Sequence, residues 1–202
     1  MDRDAEDCRD DTYFGHSVVL RGDILGVRAP YDVLDGAKGV VYLYRRDDDD
    51  GGRYREFQRI STAEPKSNVG NHGNKLVLLD GFVLVGSHME RKVNVYARTS
   101  GGEYLKAAEL RASDATDGSN FGFSLHGDGN VVVVGDPYDV DDNENGFMYL
   151  FVFEGGAWKE KTSFPRGGTI SNSLTVFLKA SEMNRGRYGG LVEMYDLVCL
   201  GG

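Results

Sequence analysis

Asp139, Asp141 and Asn143 occupy alternate positions in PYDVDDNENG (residues 137–146), and Asn145 adds a further oxygen. Carboxylate and amide oxygens spaced in this way let a tight loop turn several hard donors toward one hard cation. The glycine wanted straight after the third ligand is missing, since Glu144 stands there, and a solvated acidic loop is the competing reading. A second candidate is Arg21-Gly22-Asp23 within LRGDIL (residues 20–25), a tripeptide that adhesion ligands display to cell-surface receptors. Catalytic chemistry has less to work with. His16, His72, His88 and His126 form no pair at helical metal-ligand spacing, and there is no Gly-X-Ser-X-Gly elbow. The glycines of HGDGNVVVVGD (residues 126–136) imitate a dinucleotide loop, but they fall between two strand-like runs with no following helix to hold a pyrophosphate. The chain reads as non-enzymatic, with no catalytic residues assigned.

The elements that would position these residues come from internal repetition. FGHSVVLRGDILGVRAP (14–30), HGNKLVLLDGFVLVGSH (72–88) and FGFSLHGDGNVVVVGDP (121–137) align without gaps. Each is an apolar stretch, a two-residue turn and a second apolar stretch, the pattern of a β-hairpin. The turns fall at Gly22-Asp23, Asp80-Gly81 and Gly129-Asn130, where positive φ is needed and glycine supplies it. Repetition therefore accounts for the Gly and Asp of the tripeptide as turn chemistry, with Arg21 an exposed flank. A third strand follows in each copy, GVVYLYRR (39–46), KVNVYAR (92–98) and GFMYLFVF (146–153), then a more amphipathic fourth, YREFQRI (54–60), EYLKAAEL (103–110) and AWKEKTSF (157–164). Apolar inner strands with an alternating outermost one predict a β-propeller-like array of four-stranded antiparallel blades.

A degraded fourth copy begins at GGTISNSLTVFLKASE (167–182) and reaches GGLVEMYDLV (189–198). The expected organisation is an acidic segment over 1–13 and one propeller segment over 14–202, with units near 14–61, 72–113, 121–164 and 168–199. Three units are full and the fourth partial. The copy at His72 departs most, so distortion is expected there. The run RRDDDDGGR (45–53) fits an exposed loop between strands.

Composition agrees with an all-β fold: 28 glycines and a 40% hydrophobic content are those of a folded chain rich in tight turns. With 32 acidic against 23 basic side chains, the formal net charge of -9 repels a phosphate backbone and disfavours nucleic acid as a partner. No apolar stretch approaches the length of a membrane span. The opening MDRDAEDCRDD carries no apolar run and does not read as a signal peptide. Cys8 and Cys199 are too few for a disulfide framework and fit two unrelated thiols better than a clasp.

FGHSVVLRGDILGVRAP with GAKGVVYLYRR, and FGFSLHGDGNVVVVGDP with NGFMYLFVF, resemble the FG-GAP repeat of the integrin α-chain β-propeller, over nearly all of residues 14–198. Phe14-Gly15 and Phe121-Gly122 match the FG element. Arg28-Ala29-Pro30, Gly86-Ser87-His88 and Gly135-Asp136-Pro137 are imperfect GAP elements. The resemblance implies a propeller used for protein recognition or cell adhesion, and it is the sole pointer to an extracellular or cell-surface setting. It also implies calcium in the loop before a third strand. That would place calcium at Asp139, Asp141 and Asn143, less well at Asp32 and Asp35 of PYDVLDGAKG (30–39), and not at MERK (89–92), where Arg91 and Lys92 are basic. The implied partner is a protein, or a second copy meeting exposed blade faces. The alternative is an enzyme or lectin-like domain using the propeller channel or blade-top loops.

Overall fold

The computed structural model describes residues 12–61, 75–115, 118–137 and 146–165. Three antiparallel four-stranded sheets form within them, each built from strands in chain order. The first contains β1 (Ser17–Arg21), β2 (Ile24–Leu34), β3 (Ala37–Asp47) and β4 (Arg53–Ser61). The second contains β5 (Leu76–Leu79), β6 (Phe82–Ser87), β7 (Lys92–Arg98) and β8 (Tyr104–Leu110), and the third β9 (Ser124–Asp128), β10 (Val131–Asp136), β11 (Phe147–Glu154) and β12 (Ala157–Pro165). A 3-10 turn at His88–Glu90 joins β6 to β7. No helix among the described residues is long and apolar enough to cross a membrane.

All three predicted hairpin turns stand where expected, at Gly22-Asp23, Asp80-Gly81 and Gly129-Asn130. The backbone demand is narrower than expected, because only the glycine of each pair has positive φ, 58° at Gly22, 83° at Gly81 and 56° at Gly129. At Gly22 and Gly129 the positive φ falls on the first central position, the type II′ arrangement that matches the right-handed twist of the strands, whereas at Asp80-Gly81 it falls on the second. Gly22→Val is expected to lower stability by about 1 kcal/mol or more, since a β-branched residue resists this region; unchanged thermal melting would contradict the turn assignment.

The second sheet is regular despite the expected distortion. Its strands keep their apolar pattern, because the lost FG and Pro residues lie outside them. Successive side chains of β5 face opposite neighbours: Leu76 and Leu78 join Ile24, Val41, Leu43 and Ile60 of the first sheet. Val77 and Leu79 join Leu125, Val132, Val134 and Phe151 of the third. Burial on both faces is why this strand is apolar throughout, and each such side chain contributes about 1.5–3 kcal/mol when fully buried. The first strands meet in space, β1 against β5 and β5 against β9. β8, at the far edge of its sheet, is largely exposed between its buried ends.

One feature repeats without a sequence signature. The pairing of third with fourth strand slips by one residue at Leu43/Tyr44, Val95/Tyr96 and Leu150/Phe151. These are equivalent positions in the three sheets, and a bulge there bends and twists the outer strand. PYDVLDGAKG (30–39), expected as a loop, instead prolongs β2 and β3 into a second hairpin through Asp35 (φ 54°) and Gly36 (φ 82°).

His72, Cys8, Cys199, the acidic start and the fourth unit (168–199) lie outside the described residues.

Candidate interaction site

The hairpin tips carry the Arg-Gly-Asp tripeptide, and the structure corrects the reading of Arg21 as a mere flank. Its Nε donates to Oδ1 of Asp80 at 2.9 Å and its Nη1 to Oδ1 of Asp128 at 3.0 Å. One guanidinium therefore ties the tips of all three sheets. The Asp80 hydrogen bond raises the Arg21 pKa above its ordinary value, and Arg21 in turn lowers that of Asp80. Asp23 Oδ2 lies 4.0 Å from Arg45 Nε. Both charged ends of the tripeptide thus face partners within the chain. Nothing in a single strand's sequence signals this, since the three charges lie on three sheets.

Of the loops before the third strands, the one holding Asp139, Asp141, Asn143 and Asn145 falls outside the described residues. In the first sheet, Oδ1 of Asp32 accepts from the Val33 N–H at 2.8 Å, and its other oxygen takes the Tyr42 hydroxyl; Asp35 serves the turn. In the second, the buried Lys92 ammonium lies 3.1 Å from Glu109 Oε1 and 3.2 Å from Glu90 Oε2, so a lysine supplies the positive charge among these carboxylates. Asp136 is buried; it accepts the Ser119 hydroxyl and the Asn120 N–H, the latter at 2.7 Å. Among the described residues no group of three His, Cys, Asp or Glu is arranged to hold a metal ion. The Asp-rich turn between β3 and β4 is occupied by arginines, with Arg55 at 3.0 Å from Asp47 and 2.6 Å from Asp50, and Arg46 at 2.8 Å from Asp48.

The hydrogen bond from Lys106, with help from Lys92, depresses the Glu109 pKa to about 2 against the cost of desolvation. A depressed carboxylate stabilises the fold above its unfolded pKa, near 4.5, and that stability disappears as pH falls from there toward 2. After allowance for solvent screening the loss is about 1 kcal/mol. Denaturant titrations from pH 5 to pH 2.5 should show it in the wild type and show it reduced in Glu109→Gln; equal slopes would exclude the linkage.

The histidines are dispersed, His16 ahead of β1, His88 in the 3-10 turn with its ring 5.3 Å from Phe123, and His126 on β9. Sequence reasoning also passed over Arg28. It is buried, and desolvation lowers its pKa to about 10, opposed by the neighbouring Tyr96. The repeat places it opposite Gly86 and Gly135, so an arginine sits where the other sheets keep a glycine. That mismatch was the signal available in the sequence.

The FG elements show what the glycine is for. Gly122 (φ 92°) lies so close to the second sheet that a Cβ on it would meet Lys92 O at 2.6 Å, and a Cβ on Gly86 would meet Gly122 O at 2.1 Å. Phe121, fully buried, makes edge-to-face contacts with Tyr149 at 5.3 Å and Phe151 at 5.9 Å. Gly15 has the same φ of 92°, but nothing stands within 4 Å of where its Cβ would be. Tyr13, Phe14, Val18 and Leu20, near it in the chain, are each exposed in part.

No curated protein matches the chain. A solved structure described as a hypothetical selenium-binding protein from Sulfolobus tokodaii superposes with a TM-score of 0.45 at 11% sequence identity, over 72% of this chain and 41% of that one. The chain thus spans less than half of that structure's length, and the likeness is too slight to carry an argument. The FG-GAP repeat model matches residues 104–151, from the fourth strand of the second sheet into the third strand of the third. That span takes in both Phe121-Gly122 and Gly135-Asp136-Pro137, so this segment is similar to an FG-GAP repeat, as its motifs led one to expect.

Proposed function

We propose that the chain is a β-propeller segment of FG-GAP type that acts as a non-catalytic protein-recognition module, with calcium at Asp139, Asp141 and Asn143 assisting it. The observation that carries this reading is the FG-GAP match over residues 104–151 on a set of sheets whose first strands meet one another. Meandering sheets packed face to face, inner strand to inner strand, are the arrangement of propeller blades. Recognition then falls to tips and faces, and the partners of Arg21 and Asp23 within the chain favour a structural role for the Arg-Gly-Asp tripeptide.

The immobilised full chain, offered purified extracellular proteins and, in parallel, a glycan array, should retain protein and no sugar. Retention of a defined glycan would replace this reading with the lectin-like one. For calcium, titration calorimetry should show heat with the wild type and none with Asp141→Ala; a wild type without heat removes the ion from the proposal.

A further inference from the structure

Four Asp-Gly pairs lie among the described residues: Asp35-Gly36, Asp50-Gly51, Asp80-Gly81 and Asp128-Gly129. An aspartate before a glycine can close on itself, because the next amide nitrogen can form a five-membered ring with the side-chain carboxyl carbon and glycine has no side chain to block it. The fold treats the four pairs differently. The Asp50 carboxylate is turned to Arg55 at 2.6 Å, and that of Asp80 to Arg21 at 2.9 Å. Asp35 holds the left-handed position of its turn, with φ 54°. Asp128 is the one of the four that accepts a hydrogen bond from the glycine after it, Gly129 N–H to Oδ1 at 2.9 Å. The attacking atom is thus already seated at the carboxyl group. Its surroundings are open, since nothing stands within 4 Å of where a Cβ on Gly129 would be, and the Asp128 side chain is 60% exposed.

We propose that Asp128-Gly129 is a self-modification site, where the chain isomerises through a succinimide to isoaspartate and so unfastens the tip of the third sheet from Arg21. The Gly129 nitrogen bonds to Cγ of Asp128 in its acid form, the Cγ–O bond breaks, and the hydroxyl leaves as water with the amide proton. Water then opens the ring. Cleavage of the new Cγ–N bond restores aspartate, whereas cleavage of the original peptide bond leaves the main chain running through Cγ. The water released is taken back, nothing is oxidised or reduced, and no co-reactant is needed. In the product the main chain at the tip is one methylene longer and the free carboxylate sits directly on Cα. Asp128 faces Val131 in the pair that closes the hairpin, so the two-residue turn loses its register. The carboxyl group that met Arg21 Nη1 at 3.0 Å is drawn into the backbone, while the bond from Arg21 to Asp80 is chemically untouched.

The test uses the full chain, held for weeks in mildly acidic buffer at physiological temperature. Peptide mapping by fragmentation that distinguishes isoaspartate from aspartate follows each Asp-Gly pair, and a carboxyl methyltransferase specific for isoaspartyl groups provides a second readout. Isoaspartate should accumulate at Asp128 at least about tenfold faster than at Asp35, Asp50 or Asp80, since a reacting pair already in contact has little orientation left to find. In strong urea the four rates should converge, because the advantage belongs to the folded turn. A native rate at Asp128 no higher than at the other three overturns the proposal, as does a native rate below that in urea. Asp128→Glu keeps the charge but would have to close a six-membered ring, so its peptide should remain unconverted and stay unlabelled by the methyltransferase; equal labelling there would also overturn it. Asp128→Asn presents the same nitrogen with an amide that leaves as ammonia, and should convert faster than wild type. The isoaspartyl chain, separated by ion exchange, should melt below the unmodified chain, and equal melting would show that the tip had not been unfastened.

Discussion

Phe121→Ala is expected to destabilise the chain by about 3–5 kcal/mol, whereas the same change at Phe14 should cost less than about 1 kcal/mol. The two residues hold the same place in the repeat, so the contrast isolates the neighbouring sheet. Phe121 is 0% exposed within the cluster that joins the second and third sheets. Its removal loses the transfer free energy of a phenyl ring and leaves a cavity that rigid strands on both sides cannot close. Phe14 is 44% exposed and leans on Tyr42 at a centroid distance of 5.2 Å. Urea denaturation of both variants would decide the matter, and equal losses would mean that the FG phenylalanine stabilises its own hairpin and not the junction.

Gly86→Ala is expected to destabilise by at least about 2 kcal/mol, although it adds a single methyl group. The added carbon would lie 2.1 Å from the Gly122 carbonyl oxygen and 3.4 Å from Leu125 Cδ1. Backbone cannot rotate aside as a side chain can, so the second and third sheets must separate to admit it. Gly135→Ala is the useful comparison, since its Cβ would meet the Ser124 Oγ at 2.1 Å, a side-chain atom that another rotamer removes. The order of the two losses, read from chemical denaturation, tests the account; a smaller loss at Gly86 would refute it.

Much of the architecture was legible because it is written locally. FVLVGS became β6 and KVNVYAR became β7 without a change of boundary, since a strand buried on both faces is an uninterrupted apolar run and a tight hairpin needs its glycine. The parts that stayed hidden depend on residues far apart in the chain. Arg21 reads as an exposed flank until Asp80 and Asp128 are brought to it across 59 and 107 residues. Arg28 reads as a degenerate motif position until burial lowers its pKa. The three register slips fall on Leu43/Tyr44, Val95/Tyr96 and Leu150/Phe151, ordinary strand residues, because a bulge answers to the twist of the whole sheet. The cation site expected at Asp139, Asp141 and Asn143 belongs to a stretch on which the structure is silent.

The strand order has a consequence for how the molecule opens. Every described strand pairs only with its sequence neighbours among the described residues, so each sheet closes short loops and can form quickly by itself, with little entropy lost before contacts repay it. What couples one sheet to the next includes the first-strand faces, the Arg21 bridge to Asp80 and Asp128, and the Gly86 and Gly122 contact. Among the described sheets the couplings are nearest-neighbour ones, and the second sheet cannot leave without releasing both of the others. Of the described sheets, the second is then expected to be the slowest to exchange its amide protons, with β6 and β7 at the top of the protection scale.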